Sequence, residues 1–179
     1  MKNVFLAPTD SSHTIKWANS LSDHGIKVLV YGLNKSEKTE FNKDIIVEEL
    51  DVPSEVISKK SGSLSKLIYY KAYPQIKHIL KTFKPRLLHA HYATSYGLLG
   101  AMTGFHPFVL SVWGSDVFTF PKRSFAHKML FKYNLNKADK ILSTSRFMSQ
   151  EISKYTSKKI EITPFGVDLE KFYPYKELK

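Results

Sequence analysis

The stretch that decides the fold is residues 87–115, LLHAHYATSYGLLGAMTGFHPFVLSVWGS. It contains no Lys, Arg, Asp or Glu, although 24% of the whole chain is charged, and Asp116 follows it directly. The run is long enough to cross a bilayer, but histidines, glycines and a proline interrupt it, and buried polar groups cost energy in lipid. A buried strand, a helix and a second buried strand fit the pattern better, at residues 87–90, 95–102 and 108–112.

Strand-like and helical segments alternate along the rest of the chain. This alternation predicts an α/β protein with a Rossmann-like, doubly wound and mostly parallel sheet. A first helix is expected to begin near Ser11 or Ser12 and to end at Gly25. A second covers residues 63–83, where Pro74 is expected to kink or split it. The expected strands are residues 4–7, 28–31, 45–50, 87–90, 108–112, 140–143 and 159–162.

A third helix is expected at residues 124–136, and its side chains divide into two groups. Helical spacing places an apolar stripe on one side and the basic residues largely on the other. The stripe consists of Phe125, Ala126, Met129, Leu130 and Tyr133.

Composition limits the class of protein and its location. With 42% hydrophobic residues, 179 residues suit one domain with a sizeable core. The chain has no cysteine, which excludes disulfides and thiolate metal sites, so nothing indicates an oxidising compartment. The opening residues MKNVFLAPTD read as a strand, because their apolar run is too short for a signal peptide. We therefore expect a cytoplasmic protein.

Polar residues follow the buried strands at the points where the strands end. His91 and Tyr92 follow one strand, and Trp113 to Asp116 follow the next. The loop after the first strand ends in His13. Because the carboxyl ends of parallel strands gather at one edge, we expect His13, His91, Trp113 and Asp116 to line one cleft.

Two other chemistries fit this pattern poorly. His89 and His91 are only two residues apart, and no third ligand has the spacing of a metal site, so we expect no metal. The sequence Gly114-Ser115-Asp116 lacks the glycine after the serine that a nucleophile elbow uses, which argues against a serine hydrolase.

Four short motifs, in this order and spacing, resemble the amino-terminal half of the retaining glycosyltransferases of family four. They are residues 84–91 (KPRLLHAH), 109–116 (VLSVWGSD), 138–145 (ADKILSTS) and 162–168 (ITPFGVD), with Phe172 after the last. The resemblance implies the GT-B fold, in which two Rossmann-like domains face each other across a cleft. Residues 1–163 would form the first domain, and 164–179 a linker toward a second domain that holds most of the donor site.

The resemblance also implies roles for particular residues. Asp116 is the candidate catalytic residue, which would bind an acceptor hydroxyl or help take up its proton; the alternative is a helix N-cap. Trp113 stands where many members have His, and it could offer a stacking face to a sugar. The other candidate substrate-binding residues are His13, His91, Tyr92, Gly114, Ser115 and Arg146.

The loop after the first strand is the candidate contact to the donor phosphates. Relatives commonly have a glycine-rich turn here, whereas this chain has Asp10, Ser11 and Ser12. Arg146 could meet a phosphate bidentately, although a solvated position beside the helix cap at Ser145 is the simpler reading. The nucleotide sugar is expected as a substrate, and no cofactor is expected.

The excess of basic residues, a net charge of +11, predicts attraction to something anionic. A solvated charged face is the simplest interpretation. The alternative is an anionic membrane surface on the inner face, where interleaved aromatic residues could reach the headgroups. Basic residues are grouped at Lys66, Lys71, Lys77, Lys81, Lys84 and over 122–140, and the aromatic residues are Tyr69, Tyr70, Tyr73, Phe125, Phe131 and Tyr133.

Three functions remain open from the sequence. The leading one is the acceptor-binding half of a retaining, hexosyltransferase-type enzyme that acts on a cell-surface glycan or lipid-linked acceptor, and this chain alone is expected to be inactive. The second is a non-catalytic binding module or one subunit of a split glycosyltransferase. The third is a nucleic-acid-binding protein, which has only the charge in its favour, since no recognition motif accompanies it.

Overall fold

The computed structural model describes residues 1–36, 40–50, 71–167, 169 and 172, and it contains one seven-stranded sheet. The strand order is β3-β2-β1-β4-β5-β6-β7, and every pair is parallel. The α/β Rossmann-like prediction is confirmed, and the sheet is wholly rather than mostly parallel. The strands are β1 (Lys2–Leu6), β2 (Lys27–Gly32), β3 (Ile46–Glu49), β4 (Leu87–His91), β5 (Phe108–Val112), β6 (Lys140–Ser143) and β7 (Ile160–Ile162).

Six α-helices are present in the described part of the chain. They are α1 (Ser12–Asp23), α2 (Ala72–Phe83), α3 (Ser95–Thr103), α4 (Ser115–Phe118), α5 (Phe125–Lys137) and α6 (Arg146–Ser153), with a short 3-10 helix at Phe120–Lys122. Among the described residues, no helix is both long enough and apolar enough to cross a membrane.

The sequence located most elements to within one to three residues. The predicted bounds of β5 and β6 match the observed ones. Pro74 lies in the first turn of α2, which begins at Ala72, so it interrupts no helix in the described segment. The expected helical residues 63–70 lie outside the described residues.

Helices cover both faces of the sheet. Ala18 of α1 packs with Phe5, Val28 and Val30 on one face. The opposite face packs against the other long helices, with Ile76 of α2, Leu99 of α3, Phe131 and Leu135 of α5, and Ile152 of α6. Burial on both faces explains why the central strands are almost continuously apolar.

Helix α5 turns a different side to the core from the one its apolar stripe suggests. Phe131, Asn134 and Leu135 are buried, whereas Phe125 is 78% exposed and Met129 is 47% exposed. The spacing of apolar residues does not identify the buried side of α5, because that side includes the polar residue Asn134. Phe131 was also grouped with possible membrane-facing aromatics, and its burial rules that role out.

We predict that two phenylalanines of α5 contribute very differently to stability. Phe131→Ala should lower the free energy of unfolding by roughly 3–5 kcal/mol, because it leaves a cavity in the core. Phe125→Ala, the same substitution on the solvent side, should change it by less than about 0.5 kcal/mol. Urea unfolding monitored by circular dichroism measures both, and equal losses would contradict the observed orientation of α5.

Candidate functional site

A cluster of rings lies at the carboxyl edge of the sheet, where several loops meet. His13 is in the first turn of α1, His91 ends β4, and Trp113 follows β5. The ring of Trp113 lies 4.6 Å from that of His91, 4.8 Å from that of Tyr92 and 5.7 Å from that of His13, measured between centroids. The structure therefore brings these four predicted residues together.

Phe165 completes the cluster and is not among the site residues predicted from the sequence. Its ring stacks on His13 with a centroid distance of 3.7 Å and meets Trp113 edge-on at 5.4 Å. The carbonyl of the adjacent Gly166 accepts a hydrogen bond from Lys16 Nζ, which ties this segment to α1. The available signal was its position after β7, because residues that follow a parallel strand reach the same edge.

Strand β4 carries two buried histidines, His91 within the cluster and His89 beside it. His89 Nε2 pairs with Ser111 Oγ at 2.8 Å, as expected for a core histidine. Burial lowers the pKa of His89 to about 3 and holds the pKa of His91 well below its ordinary value. Both rings are therefore neutral at physiological pH, so each can accept a hydrogen bond through one nitrogen.

Two buried polar atoms of the cluster have no hydrogen-bond partner among the described residues. These are Nε2 of His91 and Nε1 of Trp113. The other nitrogen of His91, Nδ1, lies 3.4 Å from Thr14 Oγ1. An indole N–H can only donate, whereas a neutral imidazole nitrogen can accept. A hydroxyl group can satisfy one atom of each kind, but both atoms are enclosed by the protein, so a ligand reaches them only when neighbouring side chains move aside.

Asp116 is buried beneath the cluster rather than open to the cleft. Its carboxylate accepts backbone N–H bonds from Ala93 at 2.8 Å, Gly114 at 2.7 Å and Trp113 at 3.1 Å. Burial raises its pKa, and these three hydrogen bonds counteract that rise. The N-cap alternative is wrong, because Gly114 is the N-cap of α4 and Asp116 is its second residue, with no side-chain capping bond. The carboxylate instead joins the loop before α4 to the loop after β4. A catalytic role for Asp116 stays a prediction.

The remaining candidate residues take no part in the ring contacts. Gly114 is half-buried with φ of 139°, in the region that favours glycine. Ser115 begins α4 and Arg146 begins α6, and both are exposed. Ser145 caps α6 by accepting from Met148 N, as the simpler reading of this segment expected.

The loop after β1 lies beside the cluster. Asp10 and Ser12 are exposed, and Ser11 precedes α1 without a side-chain capping bond. Burial chiefly raises the pKa of Tyr92, and the charges of Asp116 and Asp10 raise it further. Asp10 is therefore close enough to influence the cleft electrostatically. Within the described residues, no three His, Cys, Asp or Glu side chains are grouped to hold a metal ion.

Comparison with known proteins identifies relatives of this chain. It is 31% identical over 109 residues to the provisionally named teichuronic acid biosynthesis glycosyltransferase TuaC of Bacillus subtilis, covering 56% of this chain and 28% of that protein. It is 28% identical over 164 residues to the uncharacterized glycosyltransferase MJ1178 of Methanocaldococcus jannaschii, covering 90% of this chain and 44% of that protein. The chain thus spans less than half the length of these curated relatives.

The fold and the family agree. The structure is similar to sucrose-phosphate synthase from Thermosynechococcus elongatus, with a TM-score of 0.70 at 17% identity over 98% of this chain and 51% of that one. At this identity the likeness shows the fold, which is one half of a GT-B enzyme. The sequence profile of the family described as "Glycosyl transferase 4-like" matches residues 2–145. The chain belongs to the glycosyl transferase 4-like family.

Proposed function

We propose that the ring cluster is the acceptor side of a retaining glycosyltransferase site. The observation that carries this proposal is the meeting of His13, His91, Tyr92 and Trp113 at the carboxyl edge of a family domain. The reaction joins an acceptor hydroxyl oxygen to the anomeric carbon of a nucleotide sugar while the bond from that carbon to the diphosphate breaks, and the hydroxyl proton passes to the departing diphosphate. The contribution of this domain is to orient the acceptor.

Each part of the cluster has a role in holding a sugar. The rings of Tyr92 and Trp113 offer apolar faces to the C–H surface of a pyranose. Trp113 Nε1 donates to a sugar oxygen, and the neutral His91 Nε2 accepts from a sugar hydroxyl. Both atoms lack partners among the described residues and are enclosed by the protein, so a sugar hydroxyl reaches them, and removes the cost of burying them unpaired, only after neighbouring side chains move aside.

The donor site requires groups beyond this cluster. Arg146 and the loop of Asp10, Ser11 and Ser12 lie at the same edge and are assigned to the donor diphosphate in our proposal. A second domain supplies the rest of that site, because the chain spans less than half the length of its curated relatives. We place the protein in the cytoplasm, where nucleotide sugars are available.

A cell-surface polymer or its lipid-linked precursor is the proposed acceptor. The relative from Bacillus subtilis bears the name of an enzyme of teichuronic acid biosynthesis. A polymer of uronic acids is anionic, and the net charge of +11 on this chain complements it.

Sugar binding should depend on Trp113. In a Trp17→Phe background, Trp113 is the only tryptophan, so its fluorescence reports on the cleft. Titration with neutral and uronic-acid oligosaccharides should change that fluorescence, and isothermal calorimetry should show binding that Trp113→Ala abolishes. Phe147→Ala is the matched control, since Phe147 is 66% exposed and lies outside the cluster. Equal binding by both variants would contradict the assignment.

The 179-residue chain by itself should show no sugar transfer. Incubation of the pure chain with a panel of nucleotide sugars and membrane lipid extract, followed by assay of released nucleoside diphosphate, measures this. Activity above background would show that the chain carries a complete site. Sugar binding without transfer, in a protein that also contains a donor domain, would favour a non-catalytic binding module.

We also propose that helix α5 rests on an anionic membrane. Its solvent side carries Phe125, Met129 and Tyr133, which we call the outer α5 stripe. Basic residues flank the stripe, and Lys137 Nζ lies 5.7 Å from the Tyr133 ring centroid. Apolar groups flanked by cations suit the headgroup region. The other flanking residues are the exposed Lys122, Arg123 and Lys128 and the half-buried Lys132.

Binding to vesicles should require anionic lipid and should weaken as salt rises. Lys128→Glu with Lys132→Glu should lower partitioning by at least about 30-fold, because two basic residues that each add ~1 kcal/mol near such a surface are lost and two acidic residues are gained. The same reversal at Lys35 and Lys43, on the β2–β3 connection, is the control. Cosedimentation with phosphatidylglycerol and phosphatidylcholine vesicles measures this, and equal binding to both lipids would refute the proposal.

A further inference from the structure

The backbone of Tyr92 is held in an unfavourable conformation. Its φ of 68° lies in the left-handed region, which residues with a side chain seldom adopt. Such a conformation persists only where its surroundings impose it, and it is common where a side chain must be presented to a ligand. The ring of Tyr92 is one of those that meet Trp113 in the cluster.

Contacts with neighbouring elements impose this conformation directly. Tyr92 N donates to Ser111 O of β5 at 3.0 Å, and Tyr92 O accepts from Gly97 N of α3 at 2.9 Å. Gly97 permits this close approach, because a Cβ at that position would lie 2.8 Å from Tyr92 O.

The next residue, Ala93, is held at both its N–H and its C=O by buried side chains. Ala93 N donates to Asp116 Oδ2 at 2.8 Å, and Ala93 O accepts from Asn134 Nδ2 at 2.8 Å. Asn134 is fully buried on α5, and its Oδ1 has no partner among the described residues. A buried amide with an unpaired oxygen is a poor way to stabilise a core. Its bond to the loop that follows β4 is the feature that distinguishes it from an apolar residue.

Asp116 connects this loop to the one that carries Trp113. The same carboxylate that binds Ala93 N also accepts from Trp113 N and Gly114 N. The two loops are therefore joined through one buried group. The ring centroids of Tyr92 and Trp113 lie 4.8 Å apart with an angle of 59° between their planes.

We infer that Asn134 and Asp116 are positioning residues, which lock the loops after β4 and β5 so that the rings of Tyr92 and Trp113 form one rigid wall of the cleft. The consequence for sugar binding rests on the proposed function, whereas the locking itself does not. A wall fixed before the ligand arrives loses less conformational freedom on binding. Neither residue needs to touch the sugar for this effect.

The first test uses the ligand-free chain with Trp17→Phe. Asn134→Ala should shift the Trp113 emission to longer wavelength and increase its quenching by acrylamide, because the wall loosens. Asn136→Ala is the matched control, since Asn136 is an exposed asparagine on the same helix. Far-UV circular dichroism verifies that each variant is folded. Unchanged Trp113 emission and quenching in folded Asn134→Ala would overturn the inference.

A second variant keeps the test independent of the stability of α5. Gly97→Ala places a Cβ against Tyr92 O and should displace Tyr92 without altering Asn134. It should produce the same direction of change in Trp113 emission. If folded Gly97→Ala leaves the emission unchanged, the conformation of Tyr92 does not control the wall and the inference fails.

A double-mutant cycle on oligosaccharide affinity tests the consequence for binding. Asn134→Ala and Tyr92→Ala should each weaken binding, and adding Asn134→Ala to Tyr92→Ala should cause little further loss, since the first acts through the second. Additive losses would show that Asn134 acts by another route and would overturn the inference. If the spectral changes occur but no variant, including the parent chain, binds any oligosaccharide, the locking is confirmed and the proposed acceptor site fails.

Discussion

The cleft depends on the parallel pairing of three central strands. β4 lies between β1 and β5, with Ala90 opposite Leu6 on one side and Leu110 on the other. Because the three strands run in the same direction, the residues that follow them emerge at one edge. This arrangement places His13 and Trp113 within 5.7 Å of each other, although they come from different loops.

The cleft is built over buried polar groups whose hydrogen bonds are incompletely satisfied. Asp116 uses its carboxylate on three backbone N–H groups, whereas Nε2 of His91, Nε1 of Trp113 and Oδ1 of Asn134 find no partner among the described residues. An apolar side chain at these positions would avoid the cost of desolvation. We attribute the retention of these groups to loop geometry and ligand contact rather than to stability, and natural proteins depart from local rules mainly at such sites.

Helix α5 connects the cleft to the surface. Its inner side supplies Asn134 to the loop after β4, and its outer side carries Phe125 and Met129 with basic neighbours. An isolated amphipathic helix would bury Phe125 and Met129 and expose Asn134, so the tertiary contacts reverse the positions expected for these residues. On our proposals, this one helix would hold the acceptor cleft rigid and bring it to the membrane that carries the acceptor.

The sequence by itself determined the class of fold and most of its elements, because hydrophobic runs and their spacing are local properties of the chain. It also indicated that His13, His91 and Trp113 meet, since this follows from parallel strands alone. Only the tertiary structure decided which side of α5 faces the core, that Phe165 joins the cluster, and that Asp116 and Asn134 fix the Tyr92 loop. These features depend on contacts between segments far apart in the chain, and no local pattern encodes which buried polar atom will meet which backbone group.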